Sequence, residues 1–412
     1  MSLSLELLRG DLAAEVARPA LPVRKVLPAL ATRPRLTSID LLRGSVMILM
    51  ALDHTRDFFG ASGMNPRDVT EPALFLTRWV THYCAPLFIF LAGLSAFLYG
   101  TRQGRTPGEV SWFLLTRGFW LMVLEFTLVR LGWSFDLSAH FFVAQVIWVI
   151  GASMVVLAGL VHLPRPALVC IALVTICGHN LLDGIRAESF GVMAWLWNLL
   201  HQPQLLQLGP HSKLLALYPL VPWFGVMAAG YALGPLFLAD TTARLRWLTG
   251  LGAMITGGFI ALRLTNLYGD PGMWAEQSSG LATVLSFLNC EKYPPSLLYL
   301  MMTLGPGLLL LAAFERAQGR LADWITTFGR VPLFYYVAHI YLIHALAVAF
   351  AWAIWGEASW LLGAPGNKPA GYGLSLPGIY VVAIFIVITL HPFCRWFMAV
   401  KHHRAEWWWS YL

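Results

Sequence analysis

The sequence predicts an all-α fold, a polytopic integral membrane bundle of about ten transmembrane helices. Composition is the first reason: 58% of the 412 residues are hydrophobic and only 12% are charged, whereas a soluble domain carries about 25% charged residues. The second reason is that the apolar residues fall into runs of about 20, the length of a helix that crosses a bilayer. The mean hydropathy of +0.65 agrees with both.

The individual spans follow from these apolar runs and from the charged residues that flank them. They are predicted at approximately 37–57, 78–100, 111–133, 141–162, 166–183, 214–238, 246–265, 294–314, 331–354 and 375–397. The predicted organisation is therefore a tail over 1–36, a transmembrane domain over 37–398 and a second tail over 399–412. The first tail holds basic residues in Pro- and Ala-rich sequence without an apolar core, so we do not interpret it as a cleavable signal peptide.

Loop charges predict the orientation of these spans. Arginine-rich loops alternate along the chain with longer loops of mixed charge, which cover 58–77, 184–213, 266–293 and 355–374. Because Lys and Arg concentrate in cytoplasmic loops, we expect both termini in the cytosol and the protein in the plasma (inner) membrane, surrounded by membrane lipid. The net charge of +7 has the same origin and does not indicate nucleic-acid binding.

The cysteines give no sign of a metal centre or of disulfides. All five, Cys84, Cys170, Cys177, Cys290 and Cys394, lack CxxC or other metal-ligand spacing, and four lie in or beside apolar segments. Buried free thiols are therefore expected, and no metal. Glu125, in the third span, is expected to be a buried carboxylate with a cationic or hydrogen-bonding partner, in a structural role rather than the alternative catalytic one.

Arg43 and His54 are the most informative pair, because they share the first predicted span. Eleven positions at about 100° each return to nearly the same helix face, about 16 Å further along the axis. Charged groups inside such a helix are costly and indicate function. A cation suits a phosphate group, and a histidine suits proton transfer. The alternative is an arginine that extends to the membrane surface and a histidine satisfied in a polar cavity.

Acyl transfer across the membrane would use both ends of this helix. Arg43 would hold the phosphates of a cytosolic acyl-CoA donor, with Asp40 and Arg35 beside it. His54 would deprotonate an acceptor hydroxyl or amine on the far side, or take the acyl group as a nucleophile, and Asp53 or a facing residue would orient its ring. The distance between Arg43 and His54 is comparable to the reach of an extended pantetheine arm.

Further candidate residues concentrate in the half of the membrane opposite the termini. His82 begins the second span there and is a supporting catalytic candidate. The candidates for binding the acceptor are Asn180, Asp183, Trp223, Lys292, His339 and His344. A transporter of a lipid-linked or anionic solute, with the histidines as a proton relay, is the alternative function. It is less favoured because no inverted repeat is visible and the functional pair shares one helix.

The same residues carry a family resemblance. Arg43, ten intervening residues and His54 resemble the signature of integral-membrane polysaccharide O-acyltransferases. Residues 35–44, RLTSIDLLRG, resemble the opening of the heparan-alpha-glucosaminide N-acetyltransferase family. Further matches to its bacterial branch are THYCAPLFIFLAG at 81–93, YPLVPW at 218–223, KYPPS at 292–296 and WSYL at 409–412. The resemblance covers roughly residues 33–412.

This resemblance implies transfer of an acetyl group from cytosolic acetyl-CoA, as co-substrate, to an amino sugar or glycan hydroxyl on the other side. In the lysosomal member the acceptor is a glucosamine amine, and the active histidine follows an asparagine beyond the first conserved helix. Here Asp53 stands in place of that asparagine, His54 follows at once, and loop 60–77 has no histidine. His82 and His339 are therefore further candidates for the catalytic histidine. A homodimer is compatible with the sequence, which does not determine the oligomeric state.

Overall fold

The computed structural model of the protein describes residues 36–102, 104–138, 140–364, 366 and 368–404. Arg35 and the residues before it lie outside the described residues, as do residues 405–412 of the predicted C-terminal tail. The domain boundaries therefore remain a prediction.

Helices dominate the described part of the chain. The α-helices are α1 (Thr37–Phe59), α2 (Pro72–Thr81), α3 (Cys84–Arg102), α4 (Pro107–Leu124), α5 (Arg130–Ser134), α6 (Val146–Leu160), α7 (Arg165–Gly178), α8 (Ala194–Leu200), α9 (Leu220–Leu233), α10 (Thr241–Thr265), α11 (Gly280–Leu288), α12 (Leu297–Phe314), α13 (Arg320–Arg330), α14 (Pro332–Trp355) and α15 (Leu376–His403). A π-helical turn, Glu125–Val129, joins α4 to α5. Short 3₁₀ segments cover His179–Leu182, Ala187–Met193, Gly234–Leu238 and Ser359–Leu361.

These helices confirm the predicted polytopic membrane bundle. Among the described residues, eight segments are long and apolar enough to cross a membrane: Pro72–Thr101, Pro107–Ser134, Arg165–Leu182, Leu220–Leu238, Thr241–Thr265, Leu297–Phe314, Pro332–Trp355 and Leu376–His403. Each coincides with a predicted span. The other two predicted spans correspond to α6, which is apolar but only 15 residues long, and to α1, whose charged residues lower its hydropathy.

A small sheet corrects the predicted start of two spans. Strands β1 (Phe141–Ala144), β2 (Gln204–Gln207) and β3 (Lys213–Ala216) pair in the order β1-β3-β2, with β1 parallel and β2 antiparallel to β3. Residues 141–144 and 214–216 were expected to be helical. Their backbone groups bond instead across the sheet, so α6 begins only at Val146 and α9 at Leu220.

Helix α1 runs through the interior of the bundle, which explains how it can carry charge within a membrane. It packs against α3, α12, α13, α14 and α15. Contact with α13 is made backbone to backbone: a Cβ at Gly44 would collide with the Ile325 carbonyl, and one at Gly329 with the Asp40 carbonyl. Small residues permit such close approach between membrane helices. Polar side chains of α1 therefore face protein rather than lipid.

Glu125 is buried where α4 meets the start of α6, at 1% exposure. Its Oε2 accepts a hydrogen bond of 2.9 Å from the backbone N–H of Trp148. The first turn of a helix has N–H groups without intrahelical partners and carries a partial positive charge. A helix terminus thus provides the structural partner that the sequence required for this carboxylate.

Candidate active site

The candidate site surrounds the C-terminal half of α1 and draws on three further parts of the chain. Asp53 and His54 come from α1, His339 from α14, His82 from the junction of α2 and α3, and Lys292 from the segment that leads into α12. The side chains are enclosed: His54 is 9% exposed, His82 2% and His339 0%. Five of the predicted site residues thereby lie at one end of the bundle, which we call the His54 side, and all except the partly exposed Asp53 are buried.

Arg43 lies toward the other end of α1, which we call the Arg43 side. Its guanidinium donates to Ser95 Oγ at 2.7 Å, to the Gly329 carbonyl at 3.2 Å and to Asp40 Oδ1 at 3.3 Å. The Asp40 carboxylate also lies 3.7 Å from Arg330 Nε. One carboxylate is therefore shared between two guanidinium groups. This arrangement fixes the Arg43 fork between α1, α3 and α13.

A chain of two histidines runs from α1 to α14. His54 Nδ1 and His339 Nε2 are 2.8 Å apart, and His339 Nδ1 lies 2.8 Å from the Tyr335 carbonyl oxygen. Because a carbonyl only accepts, His339 carries its proton on Nδ1 and, as a neutral ring, accepts at Nε2. His54 must then donate from Nδ1, so its Nε2 holds the lone pair; these tautomers are assigned from the network. An imidazole with one nitrogen fixed and the other unprotonated is suited to general-base catalysis.

Aromatic rings hold the His54 imidazole in place. The edge of Trp133 meets it with ring centroids 4.8 Å apart, and Tyr336 does so at 6.2 Å. Phe58 stacks on Trp133 at 5.3 Å. The π-helical turn before α5 precedes Trp133 in the chain and thus contributes to its placement. The imidazole is therefore confined by apolar surface on several sides, which limits the access of water to it.

Asp53 makes its contacts away from the His54 ring. Its Oδ1 lies 2.6 Å from Arg56 on the same helix and accepts a 2.7 Å hydrogen bond from Thr81 Oγ1 at the end of α2. Thr81 immediately precedes His82. The residue that contacts and orients the His54 ring is thus His339, whereas Asp53 ties α1 to the backbone that carries His82.

Lys292 brings a buried cation to the same region, at 8% exposure. Its Nζ lies 5.1 Å from the centre of the Tyr293 ring. Burial by itself would lower the pKa of the Lys292 ammonium. The neighbouring Tyr293 hydroxyl and the Asp53 carboxylate outweigh that effect and raise the pKa well above its ordinary value. Lys292 is therefore charged at neutral pH.

His82 is fixed through its backbone while its ring has no hydrogen bond. The Tyr299 hydroxyl donates to the His82 carbonyl at 2.9 Å, and the two rings meet edge to face at 5.4 Å. Neither ring nitrogen has a partner among the described residues. Buried polar atoms are normally paired, so these two nitrogens are available to a substrate or to water. Trp223, also fully buried, meets Tyr299 at 6.5 Å, and its indole N–H likewise has no partner in the described chain.

The remaining predicted site residues make other contacts. His344 places its two ring nitrogens 2.8 Å from the Gly132 carbonyl and 2.9 Å from the Leu361 carbonyl, and so joins α14 to neighbouring segments. Asn180 and Asp183 bond to each other at 2.8 Å, and Asn180 also accepts from the Leu297 backbone N–H at the start of α12. Their cluster includes His201 rather than His54.

Sequence reasoning did not single out several residues that complete the site. Arg56 follows Asp53 by three positions, a spacing at which helical side chains meet, so local patterning could have found this pair. Thr81, Trp133, Tyr299 and the Tyr335 carbonyl have no such signal, because each reaches the site only through contacts between helices.

Comparison with known families identifies the family of this chain. The sequence profile described as heparan-alpha-glucosaminide N-acetyltransferase, catalytic, matches residues 35–260, which is more than half of the chain. The matched range contains Arg43, Asp53, His54 and His82. A comparison with curated proteins gave no significant match. The resemblance seen in the sequence is thus confirmed: this chain belongs to the heparan-alpha-glucosaminide N-acetyltransferase family, a family of membrane acetyltransferases.

Proposed function

We propose that the protein transfers an acetyl group from cytosolic acetyl-CoA to an amino sugar or glycan hydroxyl on the opposite side of the membrane. The observation that supports this most directly is the course of α1. One buried helix has the cationic Arg43 toward one end and, toward the other, a His54 whose Nε2 lone pair is kept available by His339. A donor held at Arg43 and an acceptor held at His54 would meet along this helix.

The donor would bind on the Arg43 side, which we assign to the cytosol together with both termini. Arg43 and Arg330 both lie beside Asp40, so a phosphate group would find two guanidinium groups there. A guanidinium can present two parallel N–H donors to a phosphate. The Ser95 hydroxyl and the Gly329 carbonyl already hold the fork in one orientation, which reduces the entropy lost when the donor binds. Arg35, outside the described residues, stays a predicted donor-binding residue.

The acceptor would bind on the His54 side, next to His82. The unpartnered His82 and Trp223 nitrogens are suited to sugar hydroxyls, because a hydroxyl both donates and accepts. Lys292 provides a fixed positive charge for the oxygen of the thioester carbonyl as that oxygen becomes negative during attack. The hydrogen bond from Thr81 to Asp53 would hold His82 in position relative to α1.

His54 would act as general base in a direct reaction. Its Nε2 takes the proton of the acceptor amine or hydroxyl while that nitrogen or oxygen attacks the acyl carbonyl. The carbon–sulfur bond then breaks, and the same proton passes to the departing thiolate. The bond from His54 Nδ1–H to His339 strengthens as His54 becomes positively charged, which stabilises the intermediate state. No residue needs to store the acyl group.

The test is a reconstituted assay with acetyl-CoA on one side of the membrane and an acceptor panel on the other. The panel contains glucosamine-terminated and N-acetylglucosamine-terminated oligosaccharides, which separates N- from O-acetylation. Release of free CoA thiol together with acetylated acceptor supports the proposal. Uptake of labelled acceptor without release of thiol would favour the transporter instead. If no acceptor of the panel gives either event, the proposed substrate class is contradicted.

A further inference from the structure

A second polar cluster lies at the His54 side, apart from the residues of the candidate active site. His179 follows α7 in the 3₁₀ turn His179–Leu182, Asp183 follows that turn, and His201 follows α8. One ligand atom from each of the three side chains lies within 4.8 Å of the other two. His201 Nε2 is 3.0 Å from Asp183 Oδ1. The three side chains therefore converge on one point.

The histidines of this cluster are buried with polar atoms that the rest of the described chain does not satisfy. His179 is 2% exposed, and neither of its ring nitrogens has a hydrogen-bond partner there. His201 is 3% exposed, and its Nδ1 is also without a partner in that part of the protein. The two rings meet edge to face with centroids 6.0 Å apart. Burial of unpaired polar atoms is costly, so atoms of this kind favour a site that binds an ion or water.

We propose that His179, Asp183 and His201 bind a divalent cation, Zn²⁺. Two imidazoles and one carboxylate form a ligand set that zinc takes in proteins, with a fourth position left for water. Calcium and magnesium prefer oxygen ligands and would not use two imidazoles. The second carboxylate oxygen of Asp183 accepts a 2.8 Å hydrogen bond from Asn180 Nδ2. Hydrogen bonds of this kind hold metal ligands in their binding orientation.

The bound metal would fasten the segment that follows α7 to the bundle. It would join the end of α7 to the residue after α8, and so close the segment 179–201 on itself. Asn180 transmits this constraint, because its Oδ1 accepts from the Leu297 N–H at the first residue of α12. Lys292 lies five positions earlier in the chain. The metal would therefore stabilise the structure that positions Lys292, without taking part in acyl transfer.

The experiment measures metal on the full-length protein in detergent, after removal of any affinity tag and stripping with a chelator. Zn²⁺ is added, unbound metal is removed by gel filtration, and bound zinc is determined by mass spectrometry. Co²⁺ is added in parallel, because its visible absorption reports coordination by nitrogen and oxygen. We expect one equivalent of zinc per wild-type chain and a cobalt spectrum that zinc abolishes. We also expect zinc to raise the melting temperature of the stripped protein.

The variants assign the site. His179→Ala and His201→Ala should each lose the bound equivalent, whereas His211→Ala should keep it. His211 is a matched control, because it is exposed and its ring lies near another histidine, His140, at 6.5 Å. If the alanine variants do not fold, Asp183→Asn tests the same point with a side chain of equal size, and its zinc affinity should fall by more than about tenfold. Absence of zinc from the wild type, or equal zinc in all variants, would overturn the proposal.

Discussion

His54 donates a hydrogen bond from Nδ1 to His339 Nε2 at 2.8 Å, and the two ring planes are within 9° of parallel. Residues 285 positions apart in the sequence thus form one polar chain that ends at the Tyr335 carbonyl. The relationship assigns a different task to each ring. In the proposed reaction His54 would present an unprotonated nitrogen to the reacting groups, and His339 would determine which nitrogen that is. The first two predictions follow from this division.

Replacement of His54 removes the proposed base. His54→Ala should lower kcat by about 10² to 10⁴ or more, the usual contribution of a general base, and should still bind acetyl-CoA. His82→Ala should lose less turnover, or lose mainly acceptor affinity. Rates at saturating donor, with donor binding measured separately, check both expectations. If His54→Ala keeps near-normal turnover while His82→Ala is inactive, the two roles are reversed. An acyl adduct on either ring after incubation with donor alone would contradict direct transfer.

Replacement of His339 tests whether it acts through His54. His339→Ala should lower kcat by at least about tenfold with little change in the KM for acetyl-CoA, because His54 loses the acceptor that selects its tautomer. His339→Gln should restore part of the loss, since its amide oxygen can accept from His54 Nδ1. The kcat of both variants at saturating substrates is the measurement. Equal loss in the two folded variants would point to a packing role for His339.

Replacement of Arg43 should act on the donor. Arg43→Ala should weaken acetyl-CoA binding by about tenfold or more, the effect of removing charge-assisted hydrogen bonds to a phosphate, while acceptor binding changes little. Arg43→Lys should restore binding poorly because it lacks the planar fork. Calorimetric titration of the detergent-solubilised protein with CoA measures this. Exposed Arg246 provides the control variant; unchanged CoA affinity in folded Arg43→Ala would exclude the role.

Glu125 should prove structural. Glu125→Gln keeps an acceptor for the Trp148 N–H but exchanges the carboxyl group at the helix terminus for an amide. We expect a cost of about 0.5–2 kcal/mol in the free energy of unfolding, with turnover retained in the folded fraction. Glu125→Ala leaves that N–H unpaired and should cost more. Thermal melting and specific activity of the monodisperse fraction check this. A stable but inactive Glu125→Gln protein would show that Glu125 takes part in catalysis.

The orientation in the membrane can be tested directly. A reporter fused after Leu412 should be active only in the cytosol, because the arginine-rich loops are expected on that side. A reporter placed in loop 355–374 should show the opposite behaviour. Activity of the C-terminal fusion outside the cytosol would invert the topology and with it the side on which the donor binds.

The sequence by itself determined the class of the protein and the order of its spans, because bilayer thickness sets the length of an apolar run and loop charge sets its limits. It also determined that Arg43 and His54 share a helix face, since the helical period depends only on local geometry. The starts of α6 and α9 were less predictable. Short strands there bond to segments far along the chain, and such pairing leaves no local pattern.

Only the tertiary structure decided which groups meet at the site. In the structure His54 contacts His339 rather than the neighbouring Asp53. Asp53 contacts Arg56 and Thr81 instead. The tertiary structure also drew Asp183 away from the candidate active site and into contact with His201. The physical reason is common to these cases. Which side chains meet between helices depends on how whole helices pack, and that packing is decided by contacts across the entire bundle rather than within any one segment.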